Sequence, residues 1–494
     1  MSLVSRTDVI LRANPNRVMA RIFVPGEEEL IRGTSRAQSV IGRVLALTEE
    51  DVVKVLSETI ETFKFRHRNL AEQFELHFAA VSGMMDSSIK LSESRELLIG
   101  AYLTQEYAFE STAYCNPSMV VHPDQGGMAA GQLRFLMSIR AVGEGHVSSI
   151  VFRTGLISAS GEVTVEPASK YATSAANMFT ILRTKLVQHA ATSAGLNSEE
   201  LSAIFGGLPE FFTPDQLDAG LAKLPAMRLH DPDLVRIVEE IHAIARSSYE
   251  VEFGDESQIS ERVLWPSVFS ERHGMEDARW VKFTEANGTT RYRATYTGFD
   301  GERVTSRLLE TKDFRCFSSI ELTGNAVANK GVAFFPRLVK NRYLALSRWD
   351  REANSIAYSE DGYHWNEATT FQKPIHPWDL VNIGNCGSPL ETPEGWLVIT
   401  HGVGPMRQYA LGAVLLDLED PTIMLASLDQ PLLVAGEDER NGYVPNVVYS
   451  CGGLIHNGLL ILPYGFSDVG TRIATVNVKE LIGTMRKTPV VTGV

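Results

Sequence analysis

Gly395-Trp396-Leu397-Val398-Ile399-Thr400-His401-Gly402 reads as a tight turn, an apolar strand and a polar side chain at the strand's end. Four other stretches follow the same order: Gln132-Leu133-Arg134-Phe135-Leu136-Met137-Ser138-Ile139-Arg140, Arg291-Tyr292-Arg293-Ala294-Thr295-Tyr296-Thr297-Gly298, Asn341-Arg342-Tyr343-Leu344-Ala345-Leu346-Ser347-Arg348 and Asn457-Gly458-Leu459-Leu460-Ile461-Leu462-Pro463-Tyr464-Gly465. In the C-terminal part successive copies lie roughly 50 to 65 residues apart, the period of a β-propeller blade with its loops. Ser359-Glu360-Asp361-Gly362-Tyr363-His364-Trp365 adds a turn pattern common between propeller strands. Five copies predict a mainly β protein with a five-bladed propeller; a stacked sandwich is the simpler alternative.

Two regions outside the repeats carry helical periodicity. Thr48-Glu49-Glu50-Asp51 reads as a helix start, followed by Val52, Val55, Leu56, Ile60 and Phe63 at helical spacing. Between Ala168 and Tyr249, Thr213-Pro214-Asp215-Gln216 and Asp231-Pro232-Asp233 each set a cap residue before a proline. The expected organisation is a mostly helical N-terminal segment (1–110), a first blade (111–165), a helical insertion (166–257) and the remaining blades (258–494). The helices are expected to serve as scaffold or as the contact surface of a homo-oligomer.

Net charge is −14 over 494 residues, which argues against nucleic acid as a partner. No apolar run reaches the length of a membrane span, and Arg6 and Arg12 fall where a signal peptide would be apolar. Cys115, Cys316, Cys386 and Cys451 form neither a metal knuckle nor a disulfide framework. A cytoplasmic protein without metal is expected.

In a propeller, equivalent strand ends converge on one central pocket. Those positions here are Arg140, Arg348 and His401, with Asp468 just after the last copy, Lys330 before the third, and Asp277 and Arg279 opening the second blade. Cationic groups gathered without local acids suit a phosphate. A carboxylic acid opposite them could protonate a leaving oxygen. The bland readings are a surface Asp-x-Arg pair, a core histidine and an arginine that clamps a blade.

Five phrases occur in a telling order: Glu276-Asp277-Ala278-Arg279, Asn329-Lys330-Gly331, Pro393-Glu394-Gly395-Trp396-Leu397 running on to Thr400-His401-Gly402-Val403, Leu415-Leu416-Asp417-Leu418-Glu419-Asp420-Pro421, and Val444-Pro445-Asn446-Val447-Val448. Over about residues 110–160 and 258–490 the chain resembles glycoside hydrolase family 130, the β-mannoside phosphorylases and related β-mannosidases. The resemblance implies an inverting phosphorylase with Asp277 as general acid. Inorganic phosphate would be co-substrate, with no further cofactor, and α-mannose 1-phosphate would be the product. It further implies phosphate ligands at Lys330, Arg348, His401 and Tyr409, and sugar contacts from Asn116, Arg140, Arg279 and Asp468. Ala278 replaces the family's proline, and Asn382 stands where a phosphate-binding lysine is expected. Glu144-Gly145-His146 is expected to alter one pocket wall. The alternatives are an inverting hydrolase, with Asp350 or Glu144 as base, and a non-catalytic carbohydrate-binding propeller.

Overall fold

A computed structural model describes residues 3–25, 29–30, 34–86, 88–175, 177–179, 182–184, 187–188, 191–192, 196–209, 211–212, 214–223, 238–239, 242 and 247–488. The protein is mainly β. Each copy of the repeated phrase contributes the strand of one antiparallel set: Leu133–Val142, Thr290–Phe299, Tyr343–Ser347, Gly395–Val403 and Leu459–Phe466. Around these strands the first set adds Ala113–Val121 and Ser148–Ile157. The second adds Gly274–Thr284, Val304–Thr311, Cys316–Glu321 and Tyr249–Glu252. These two sets join through a single parallel pair, Gly274 with Ser148, into one 11-stranded sheet. The third set adds Ala333–Phe334, Asn354–Ser359 and Glu367–Gln372. The fourth adds Asn382–Asn385, Tyr409–Leu416 and Met424–Ser427. The fifth adds Val448–Tyr449 and Gly470–Asn477.

The repeated strands are buried at nearly every position because each is covered on both faces. Leu397 and Ile399 pack with Leu460 and Leu462 of the fifth set, while Trp396 and Val398 pack with Leu346 and Ile356 of the third. The same alternation recurs along the chain. Phe283 and Leu308 of the second set meet Phe334 and Trp365 of the third, and Leu136 and Phe152 of the first meet Trp280 and Phe317 of the second. Phe135, Met137 and Ile139 of the first set meet Ile461 and Ile473 of the fifth. Five apolar clusters therefore lie between successive sets, and the fifth of them links the last set to the first.

One strand was not foreseen. Val4–Arg12 pairs antiparallel with Gly470–Asn477, so the chain's first strand forms the edge of its last set. Four helices follow: Arg36–Leu45, Glu49–Phe63, Leu70–Val81 and Glu93–Tyr102. The predicted start at Thr48 is present, its side chain accepting from the Asp51 N–H, and Val52 and Leu56 are buried in the helical unit's own core. Of the second helical region, Ser198–Phe205 and Pro214–Leu221 are helices, and Asp231-Pro232-Asp233 lies outside the described residues. Asn177–Phe179 and Tyr249–Glu252, within the span expected to be a helical insertion, instead extend the second set as strands.

Candidate active site

Asn116 and Asp277 stand at matching irregularities. Each lies where strand register slips, between Cys115 and Ser118 and between Glu276 and Arg279. Each also has a left-handed backbone, with φ of 52° and 57°. Such a bulge turns one side chain out of the strand's alternation, and Asn and Asp tolerate the conformation better than most residues. The two side chains meet: Asn116 Nδ2 donates to Asp277 Oδ1 at 2.6 Å.

Glu276, beside them, holds two cations. Arg140 Nη2 donates to Glu276 Oε1 at 2.6 Å and Lys330 Nζ to Oε2 at 2.5 Å. Arg140 Nη1 also lies 3.4 Å from Asp277 Oδ1, and its Nε donates to Ser148 Oγ at 2.9 Å. Burial pushes the Asp277 pKa up, but Arg140, Lys330, the Asn116 hydrogen bond and Arg279 outweigh it, so the carboxyl lies below its ordinary range. Asp468 behaves oppositely. Burial raises its pKa, and the nearby Asp277 charge adds to the rise, against the pull of Arg140 and Arg407. Two carboxyls near one cavity are thus driven apart, one toward the charged and one toward the neutral form.

These groups open into a cavity of about 230 Å³ that Arg348, His401, Arg407, Tyr409 and Tyr449 also line. Four cationic and two carboxylate side chains face it, a local excess of positive charge in a chain of net charge −14. Arg140 and Lys330 are matched by Glu276. Among the described residues, Arg348 and Arg407 have no carboxylate within ion-pair distance. Arg348 Nη1 donates to His401 Nε2 at 3.0 Å, which needs that nitrogen unprotonated. Burial, then Arg348 and Arg279, hold the His401 pKa well below its ordinary value, so the imidazole is neutral. Gly384 leaves room for this pair: a Cβ there would lie 2.5 Å from His401 Cε1 and 2.9 Å from Arg348 Nη1. His401 in turn stacks near Tyr409, 6.1 Å between centroids at 14°, and Tyr449, 4.8 Å at 55°.

Eight of the nine expected site residues line the one cavity: Asn116, Arg140, Asp277, Lys330, Arg348, His401, Tyr409 and Asp468. Arg279 does not line it. Its guanidinium is buried behind the wall, donating to the carbonyls of Gly331 and Asn385 at 3.2 and 2.8 Å and to Tyr449 Oη at 2.7 Å. Nor do Asp350, Glu144 or Asn382 line the cavity. Asp350 Oδ1 accepts from the N–H groups of Glu352 and Ala353 and so caps a turn.

Sequence reasoning missed Glu276, Tyr449 and Arg407. Glu276 was in view as a neighbour of Asp277 without a role. Arg407 had a signal in the turn that carries it. Gly404 N donates to Gln408 O at 3.0 Å, with left-handed φ of 56° at both Met406 and Arg407. The hairpin tip at Gly143–Val147 is built alike: Gly143 N donates to Val147 O at 3.1 Å, with φ of 65° and 60° at Gly145 and His146. His146 therefore occupies Arg407's position in another set, and it stacks on Tyr443 at 5.7 Å beside the cavity residue Val444.

Among the described residues no group of three or more His, Cys, Asp or Glu side chains could hold a metal ion. None of the described helices is long and apolar enough to cross a membrane.

Residues 242–487 match the family model described as β-1,4-mannooligosaccharide phosphorylase, within glycoside hydrolase family 130. A 1,2-β-oligomannan phosphorylase from Thermoanaerobacter sp. (strain X514) is 33% identical over 240 residues, which covers 45% of this chain and 75% of that protein. A β-1,2-mannobiose phosphorylase from Listeria innocua is 31% identical over 229 residues, covering 44% and 62%. A solved β-1,2-mannobiose phosphorylase from Listeria innocua, in complex with β-1,2-mannobiose, superimposes with a TM-score of 0.44 at 19% identity, over 76% of this chain and 92% of that one.

Proposed function

The chain belongs to glycoside hydrolase family 130, and from that we propose that it is an inverting phosphorylase that cleaves a terminal β-mannoside with inorganic phosphate, releasing α-mannose 1-phosphate. The observation that carries the reading is the cation excess of the cavity around Asp277, with Arg348 and Arg407 unmatched by acids. A dianion is the co-substrate such a site attracts.

In the proposed reaction a phosphate oxygen held by Arg348, Arg407, Tyr409 and Lys330 attacks the anomeric carbon. The electron pair of the glycosidic bond passes to the leaving oxygen. Asp277 supplies the proton to that oxygen, directly or through a sugar hydroxyl. Asn116 holds the Asp277 carboxyl in place, while Arg140 and Asp468 contact the sugar. His401, neutral and accepting from Arg348, serves best as the residue that aims Arg348, and Arg279 as the post behind Tyr449.

The free site favours ionised Asp277, whereas an acid must be protonated. Phosphate resolves this conflict: a dianion among Arg348, Arg407 and Lys330 offsets the charges that depress the Asp277 pKa. Hydrolysis would instead need a second carboxylate to activate water. Asp350 and Glu144 do not line the cavity; Asp468, the other carboxyl that does, is assigned to the sugar.

We read the five sets as five propeller blades. Five interset clusters support this, one of which joins the first set to the last. The four cysteines are free, in keeping with a cytoplasmic setting. The test is to supply β-1,2- and β-1,4-mannobiose with and without phosphate. Mannose 1-phosphate is expected only with phosphate; equal release of free mannose in phosphate-free buffer would overturn the reading.

A further inference from the structure

A second cavity, about 220 Å³, shares no lining residue with the one around Asp277 and lies where the N-terminal unit meets the β body. One side comes from strand Met19–Ile22, which pairs with Thr104–Tyr107, and from His77 of helix Leu70–Val81; the other comes from Tyr249–Glu252 and Val263–Leu264. Its basic residues are Arg21 and His77. The Arg21 guanidinium carbon lies over Trp265, 3.9 Å from the ring centroid, and 5.5 Å from that of Tyr107. A guanidinium stacked on its faces keeps its N–H donors at the edge. Among the described residues no carboxylate stands within ion-pair distance of Arg21.

Arg348 and Arg407 of the first cavity share this lack, whereas other arginines of the fold have close carboxylates. Arg17 and Arg153 share Glu110, Arg307 has Glu271, Arg293 has Glu285 and Glu310, and Arg95 has Glu49. Arg21 instead faces a second base. His77 Nδ1 lies 2.6 Å from Thr104 Oγ1, and that hydroxyl donates to Gly100 O at 2.8 Å. The imidazole must therefore donate through Nδ1, which leaves Nε2 without a proton. Burial, then the Arg21 charge, pull the His77 pKa down to about 4. Opposite this basic edge the wall is apolar: Val251, Phe253 and Leu264.

We infer that this cavity is a second binding site, for a small organic anion whose carboxylate or phosphate meets Arg21 and whose apolar body lies on Val251, Phe253 and Leu264. The missing counter-charge is the ligand's. Such a ligand touches both the helical unit and the β body, so its binding ties one to the other.

Benzoate and phenyl phosphate are suitable probes, with neutral benzyl alcohol and inorganic phosphate as comparisons. Titration calorimetry on the whole protein should give saturable binding of benzoate and phenyl phosphate and a raised unfolding temperature. Arg21→Met should weaken both by about tenfold or more, the loss of one charge-assisted pair, while leaving benzyl alcohol unchanged. Arg348→Met, in the other cavity, should leave benzoate binding intact. The inference is overturned if benzoate fails to saturate, if Arg21→Met binds it as wild type does, or if Arg348→Met abolishes binding. Should Arg21→Met fail to fold, Val251→Arg, which fills the cavity from the other side, must abolish benzoate binding, and retained affinity would count against the site.

Discussion

Asp277 is a carboxylate whose protonation state depends on what fills the space beside it. Its pKa lies below the ordinary carboxylate range in the free site, so on its own it is charged at neutral pH. An anion bound to Arg348 and Arg407 should bring a proton with it. Sulfate makes this measurable, because it does not itself titrate near pH 5. Calorimetry in two buffers of different ionisation enthalpy should show proton uptake on sulfate binding, and Asp277→Asn should remove it. The same variant should lose phosphorolysis by about 10²–10⁴-fold with its circular dichroism unchanged. Normal turnover by Asp277→Asn would end its assignment as the acid. Gly384→Ala addresses the other side of the cavity. A Cβ 2.5 Å from His401 Cε1 must displace the Arg348–His401 pair, so the KM for phosphate should rise about tenfold with little change for the sugar. The pH dependence of stability follows from the same groups. His401 and Asp277 are both depressed, so each binds protons more readily in the unfolded chain, and stability is present at neutral pH and lost as the pH falls. A melting temperature flat from neutral to about pH 4 would contradict the buried, neutral His401.

Hairpin tips and bulges position these side chains, and this is where the sequence was least legible. Repeated strands such as Tyr343–Ser347, Gly395–Val403 and Leu459–Phe466 announced themselves because each is buried on both faces, which leaves a run of large apolar side chains. The cavity residues at their ends were legible for the same reason, being fixed relative to a strong pattern. A bulge leaves no comparable trace: nothing in Cys115-Asn116-Pro117 or Glu276-Asp277-Ala278 alone signals a left-handed residue, yet that conformation is what brings Asn116 to Asp277. Arg279 misled for a related reason. A strand-end arginine beside the acid suggests a ligand contact, but after the bulge it turns inward to carbonyls. Arg407 was overlooked because its loop lies beyond the strand end. Arg407→Ala should raise the KM for phosphate by about tenfold while the KM for the mannoside moves less. Equal changes in both would show that the tip only shapes the cavity.

At the scale of the whole molecule the N-terminal strand matters most. Val4–Arg12 escaped notice because it is covered on one side only, its burial alternating between Val4 and exposed polar neighbours such as Ser5 and Arg6. It is nonetheless anchored: Arg6 Nη2 lies 3.1 Å from Glu439 Oε2, and Thr7 Oγ1 donates to Ile473 O at 2.9 Å. Deleting residues 1–12 should leave Gly470–Asn477 as an open edge, lowering the unfolding temperature and promoting association, as calorimetry and size-exclusion chromatography would report. Unchanged behaviour would mean that the fifth set closes without it.

That pairing also sets a clock. Thr7 is made 466 residues before its partner Ile473. At roughly 5–20 residues per second the first strand waits about 25–95 s on the ribosome before its partner exists. During that interval the nascent protein carries a strand without its native partner. The last set can form its full complement only once Gly470–Asn477 has been translated, so a ribosome that stalls before that strand yields a chain with four sets made and the fifth incomplete.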